Sequence, residues 1–303
     1  MTAEHHDRTQ GDEPVTDAAT TILRSGAGAG VSIGDAHPFA IIGERINPTG
    51  RTTLAEELKR GVYDTVRSDA VAQVRAGAKV LDLNAGIPGF DEVAMLCEMV
   101  TIVNGLVDVP ICIDSSTPEA LEAAVPLAGG KVLINSVTAE QHSMDRLLPL
   151  VAAHGAAVIG MANDETGISM DPDERFAAAA KIVENAERHG IAREDVIIDP
   201  LAMPIGAATD AATAMIRTMQ RIRDELGVNL SCGASNISFG MPDRHGIDAT
   251  FLTLMIGVGM NAAITNPLHR QVRKAILAAD LLLGHDEYGS AWIADHRAEL
   301  AEA

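Results

Sequence analysis

Three carboxylates and several carboxamides stand at the ends of short apolar runs in this 303-residue chain. The runs stop at Gly43-Glu44, Asp82-Leu83-Asn84, Asp114-Ser115, Asn135-Ser136, Met161-Ala162-Asn163, Asp199-Pro200, Ser235-Asn236 and Thr265-Asn266. Asp82 precedes Leu83-Asn84-Ala85-Gly86 and Asp199 precedes Pro200-Leu201, so neither directly opens a helix as an N-cap would. Asp114 fits either a cap for the next helix or a site carboxylate. A carboxylate can take two charge-assisted hydrogen bonds from an amino-pyrimidine edge, and an amide both donates and accepts. Acids and amides with few cations among them suit a neutral heterocycle rich in N–H groups.

A helical stretch follows each run, the pattern of a (β/α)8 TIM barrel whose strands aim their C-terminal ends at one mouth. The strands are expected at 39–43, 79–83, 111–114, 132–135, 157–161, 196–199, 229–233 and 262–265. A helix is expected over 53–77, another from about Asp91, and a third with Pro118 in its first turn, where a missing N–H costs little. Phe176, Ala180, Ile182, Val183 and Ala186 give the helix after the fifth strand an apolar stripe, with Asp171-Pro172-Asp173-Glu174 favouring its N-terminal dipole. The closing helix is expected over 269–283. Strands apolar on both faces and alternating with helices indicate a parallel sheet. Eight units and no switch-point glycine motif favour closure over an open doubly wound sheet. In front of the barrel (37–285), residues 1–20 are expected to form a disordered tail, and 21–36 a hairpin plugging the barrel floor. Behind it, 286–303 reads as an acidic tail that caps or frays.

Composition narrows the function classes. A chain of this length can bury one large core, and barrels of about 250 residues are typical. Hydrophobic residues make up 47% and charged residues 21%, which reads as a soluble globular protein. The balance of 23 basic to 42 acidic residues, net −19, disfavours nucleic acid. Cys97, Cys112 and Cys232 have neither metal nor disulfide spacing. No run reaches transmembrane length, and residues 1–14 lack the apolar core of a signal peptide, so a cytoplasmic setting is expected. Gly26-Ala-Gly-Ala-Gly30 does not link a strand to a helix, as a dinucleotide loop must.

Six segments taken together resemble the pterin-binding methyltransferases: Ile41-Ile-Gly-Glu-Arg-Ile-Asn-Pro-Thr-Gly50, Leu81-Asp-Leu-Asn-Ala-Gly86, Ile113-Asp-Ser-Ser116, Ile134-Asn-Ser136, Ile198-Asp-Pro-Leu201 and Ser235-Asn-Ile-Ser238. The resemblance spans about 37–285 and is nearest to methyltetrahydrofolate:corrinoid protein methyltransferases, relatives of the folate module of cobalamin-dependent methionine synthase. It implies that Asp82, Asn135 and Asp199 hold the pyrimidine side of a pterin, with Asn84 and Asp114 as further ligands or orienters. Asn236 would hydrogen-bond near N5 and be the catalytic residue. Glu44 and Asn47 would be rim or support residues, and Arg244 would meet the folate tail or a partner protein. Tetrahydrofolate or its methyl derivative would be the substrate, cobalamin would ride on a separate corrinoid protein, no metal would be bound by this chain, and the enzyme would be a homodimer.

The resemblance also frames the rivals. Dihydropteroate synthases share the pterin pocket, but their family carries an Arg-x-His near the last strand where this chain has His269-Arg270, and a diphosphate wants cations that this mouth lacks. Asp243-Arg-His-Gly-Ile-Asp248 is only superficially like a cobalamin-binding loop and reads as a turn before a helix. Direct transfer to homocysteine would need a zinc-thiolate site, for which there is no His/Cys cluster. A folate-binding subunit without turnover is the non-catalytic alternative.

Overall fold

The computed structural model describes residues 19–302; the tail expected over 1–20 lies almost wholly outside the described residues. Thr21–Arg24 (β1) and Gly30–Ile33 (β2) pair antiparallel as the expected hairpin. Eight parallel strands follow: Ala40–Ile46 (β3), Val80–Asn84 (β4), Ile111–Asp114 (β5), Leu133–Thr138 (β6), Ala157–Met161 (β7), Val196–Asp199 (β8), Asn229–Leu230 (β9) and Ala262–Thr265 (β10). The order runs β10-β3-β4-β5-β6-β7-β8-β9. The two ends of that order meet, because Asn261 N–H donates to the Leu230 carbonyl at 3.2 Å and Ile264 N–H to that of Cys232 at 2.8 Å. The sheet is a TIM barrel.

Helices Thr52–Lys59 (α1), Asp64–Arg75 (α2), Glu92–Asn104 (α3), Pro118–Ala128 (α4), Gln141–His154 (α5), Pro172–Arg188 (α6), Ala211–Arg221 (α7), Arg244–Gly257 (α8) and Arg270–Leu283 (α9) cover the outside. The helix expected over 53–77 is two helices, broken where Gly61 adopts φ +69°, a backbone state glycine enters at little cost.

The two-residue period of the strands sorts their side chains into layers. Ala40, Ile42, Val80, Cys112, Leu133, Ala157, Ile159, Ile197 and Ala262 fill the lower interior, together with Leu23 and Ile33 of the hairpin. The hairpin is pinned there by Asn229, whose Nδ2 donates to Thr21 Oγ1 at 3.0 Å and to the Ile33 carbonyl at 2.9 Å. Two residues further along the same strand faces come Glu44, Asp82, Asp114, Asn135, Met161 and Asp199. Apolar floor and polar mouth are thus successive layers of one barrel. The alternate residues, Ile41, Leu81, Leu83, Ile113, Ile134 and Ile198 among them, face the helices in the outer core.

Of the two courses open to the C-terminal segment, capping or fraying, it takes the first. Ser290–Glu302 forms a helix (α10), started by Asp286, which accepts from Ser290 Oγ and from the N–H groups of Ala291 and Trp292. Asp295 and Glu299, one turn apart, meet the basic stripe Arg270, Arg273 and Lys274 on α9 at 2.6 to 3.2 Å. The acids of the tail are half of an interhelical ion-pair network.

Candidate functional site

The wall made by β4, β5 and β6 carries four of the expected residues. Strand register sets Asn84 opposite Asp114 and Asp114 opposite Asn135, so the three share a level, with Asp82 one layer deeper and 2% exposed. Asn135 Nδ2 donates to Asp82 Oδ1 at 3.3 Å, and the buried Cys112 thiol donates to the same carboxylate from beneath. Burial, and then the neighbouring Asp114 charge, raise the Asp82 pKa well above the usual carboxylate range. Burial likewise pushes Asp114 up to about 6, against a hydrogen bond from Asn84 that favours the ionised form. Asp114 is no N-cap, since α4 begins after Thr117.

A bulge shapes this wall. The β6–β7 register slips between Asn135 and Val137, and a bulge locally re-aims the strand that carries it. A second slip, between Gly43 and Ile46 on β3, falls at Glu44 and Arg45. Gln73 on α2 fills the space under that bulge. Its Oε1 accepts the Arg45 N–H at 3.0 Å and would lie 2.5 Å from any Cβ at Gly43.

Asp199 faces the mouth from β8. Its Oδ1 accepts the Leu201 N–H at 2.7 Å, and the Gly233 N–H also donates to it. Burial nevertheless pushes its pKa up to about 6, the two N–H donors and nearby Arg175 opposing the rise. Leu201 sits at φ +68°, a left-handed conformation that leucine adopts at a cost of about 1–3 kcal/mol. Arg175 holds it there, donating from Nη1 to the carbonyls of Pro200 at 2.8 Å and Leu201 at 2.9 Å.

Arg175 is a functional neighbour that the sequence reading missed. It is fully buried and lies on the apolar face of α6 with Ala178, Ala179, Ile182, Val183 and Ala186. The stripe therefore starts one residue earlier than expected. Phe176 is only partly buried, and its ring instead receives the Arg221 guanidinium at 3.9 Å. The signal was present: an arginine three and four residues before small apolar ones has its side chain on their face.

Asn236 ends a single 3-10 turn, Ala234–Asn236, and is exposed at the mouth. Its amide lies over Gly233, where an added Cβ would come within 2.9 Å of Asn236 Nδ2. Because Gly233 also donates to Asp199, the turn couples two expected site residues. Gly233→Ala should keep the fold and cut turnover roughly tenfold, since displacing a reacting group by a fraction of an ångström is costly; stopped-flow turnover alongside circular dichroism checks both halves.

The remaining candidates sit around that turn. Glu44 Oε2 accepts from Ser235 Oγ at 3.1 Å. Arg244 turns its guanidinium inward, onto the Ser235 carbonyl at 2.6 Å and Ser238 Oγ at 3.0 Å. Asn47 stands past the end of the strand, its Oδ1 accepting the Thr49 N–H at 2.9 Å, and does not join the ring of acids and amides. Arg45 and Arg51 are paired with Asp69. His245 and His269 stack with ring centroids 3.5 Å apart, and Arg270 points away to Glu299 on α10. Among the described residues, no three His, Cys, Asp or Glu side chains are grouped to hold a metal ion. The mouth is thus furnished with acceptors and amides on two opposing walls and one exposed amide at its rim.

Comparison with known proteins identifies the family. The model of the family "Pterin binding enzyme" matches residues 43–266. A methylcorrinoid:tetrahydrofolate methyltransferase of Eubacterium limosum is 34% identical over 252 residues, covering 81% of this chain and 92% of that protein. A methionine synthase of Mycobacterium tuberculosis is 29% identical over 254 residues, covering 78% of this chain but 21% of the much longer synthase. Among solved structures, the dihydropteroate synthase of Xanthomonas albilineans in complex with 7,8-dihydropteroate superposes with a TM-score of 0.64 at 19% identity, covering 90% of this chain and 98% of that one. The Yersinia pestis enzyme with a pterine-sulfa conjugate gives 0.65 at 14%, covering 86% and 99%. Those two likenesses speak to the fold.

Proposed function

The chain belongs to the pterin-binding enzyme family, and within it we propose a methyltransferase that moves a methyl group between N5 of tetrahydrofolate and the cobalt of a corrinoid held by a separate protein. The observation carrying this reading is the pairing of a buried Asp82 and half-buried Asn135 and Asp199 with the exposed amide of Asn236 at the same mouth. A relative 34% identical bears the name of this activity.

Asp82, Asn135 and Asp199 bind the pyrimidine half of the pterin. The amino group and ring N–H donate to the carboxylates, and the Asn135 amide can both donate and accept. Asn84 keeps Asp114 oriented beside them. With the ring so clamped, the N-methyl group is presented to the open side of the barrel, the positional part of the catalysis. The corrinoid supplies the cobalt that takes the methyl as a cation, or returns it in the reverse direction. In the demethylating direction N5 keeps the electron pair of the broken C–N bond and must gain a proton, because an amine anion is a very poor leaving group. Asn236 accepts the N5–H hydrogen bond through its side-chain oxygen. Its amide does not itself give up a proton at neutral pH, so the proton reaches N5 through water.

Dihydropteroate synthesis is the poorer fit. The one arginine adjoining His269 is turned outward onto Glu299, and Arg175 is committed to backbone carbonyls, leaving the acidic walls to repel a diphosphate. Anaerobic mixing of the protein with 5-methyltetrahydrofolate and cob(I)alamin should consume the Co(I) absorbance and yield tetrahydrofolate. Tight binding of the methylated folate with no demethylation would instead make this a folate-binding subunit.

A further inference from the structure

We propose that Glu44, Arg244 and Asp248 act as one set of positioning residues, holding residues 235–238 from two sides so that the Asn236 amide is set for N5. This rests on the methyltransferase reading and names the part of the fold on which its least tethered residue depends. Backbone N–H groups satisfy the carbonyls of Ala234, Asn236, Ile237 and Ser238. The Ser235 carbonyl and hydroxyl, at the middle of the 3-10 turn, take only side-chain partners, and Asn236 itself is exposed. From β3, Glu44 receives the Ser235 hydroxyl at 3.1 Å. From α8, Arg244 donates to the Ser235 carbonyl at 2.6 Å and to Ser238 Oγ at 3.0 Å. The Ser238 hydroxyl itself donates to the Ser235 carbonyl at 3.3 Å, and Asp248, 5% exposed, stands where the Arg244 charge favours its ionised form. Arg244 and Asp248 are four residues apart and so leave α8 on one face.

The contacts fall on residues 235 and 238, to either side of Asn236. The Arg244 charge favours the ionised form of both Glu44 and Asp248, while the Asp248 charge opposes that of Glu44, so the two acids favour keeping the arginine at the turn. Burying such a set is costly in itself, whereas fixing a group that stabilises developing charge repays in rate. An arginine here therefore governs where Asn236 stands without needing to touch the pterin.

The test is a double-mutant cycle on single-turnover methyl transfer from 5-methyltetrahydrofolate to cob(I)alamin, with folate affinity measured by calorimetry. Arg244→Ala should slow transfer about tenfold to a hundredfold and leave the folate dissociation constant within about threefold, Arg244→Lys should recover part of the loss, and Asp248→Asn should show a smaller loss of the same kind. In an Asn236→Ala background, Arg244→Ala should cost little more, because its effect runs through the missing amide. A wild-type rate in Arg244→Ala overturns the proposal, and so does a loss that persists undiminished without Asn236. If the unaltered protein binds methyltetrahydrofolate but transfers nothing, the methyltransferase reading fails instead. The crystal structure of folate-bound Arg244→Ala then decides the positioning claim, supported by a displaced Asn236 amide and overturned by an unmoved one.

Discussion

Replacing Asn236 by alanine should slow methyl transfer about a hundredfold while changing methyltetrahydrofolate affinity by less than about threefold. The asymmetry follows from where the residue stands. The partners proposed for the pyrimidine half of the pterin stand on β4, β6 and β8 inside the barrel, whereas Asn236 is exposed on a turn at the rim. In the proposed reaction its contribution is made as N5 gains a proton, so it is stronger in the transition state than in the bound ground state, and such an interaction appears in the rate rather than in binding. Removing one pre-set hydrogen-bonding group of this type costs roughly 10²–10³ in rate. Single-turnover kinetics with exogenous cob(I)alamin, paired with calorimetry, reads both quantities. An unchanged rate would remove Asn236 from the chemistry, and an equal loss in affinity would make it a binding residue.

The barrel and its polar mouth were legible because each depends on one strand at a time. An apolar run that ends in Asp82, Asp114, Asn135 or Asp199 shows the two-residue period and the strand end together, and closure of eight such units brings the ends to one face. What escaped was whatever depends on two elements at once. Arg175 is invisible as a support until Leu201, on another loop, is seen at positive φ with its carbonyl turned toward it. Asp295 and Glu299 read as part of a tail that either caps or frays until α9 supplies Arg270, Arg273 and Lys274. The bulges at Glu44 and Asn135 are facts of register between strands, which no single strand encodes. Arg244 shows the same limit: its type suggests an anionic ligand, but the nearer acceptors are the carbonyl and hydroxyl of its own loop.

Asp199→Asn should weaken pterin binding at neutral pH by about 1.5–3 kcal/mol, the range for a hydrogen bond to a charged group, or roughly 10- to 150-fold in affinity. The wild-type affinity should itself depend on pH. Burial holds the free carboxyl at a pKa of about 6, above its value in an unfolded chain. The folded protein therefore binds this proton more tightly than the unfolded one does, and the group's contribution to stability falls as pH rises from about 4 toward 6. A pterin donating N–H groups reverses the preference, because it stabilises the ionised carboxylate. Binding below the shifted pKa must then release a proton, so affinity should climb as pH rises from about 5 to 7 and level off above. Asp114, also held at about 6, adds to that slope in both proteins, whereas Asp199→Asn should remove about one proton from it. Calorimetry in buffers of different ionisation heat measures the released protons directly. Wild-type affinity with an undiminished slope in the variant would show that the pterin does not rest on Asp199.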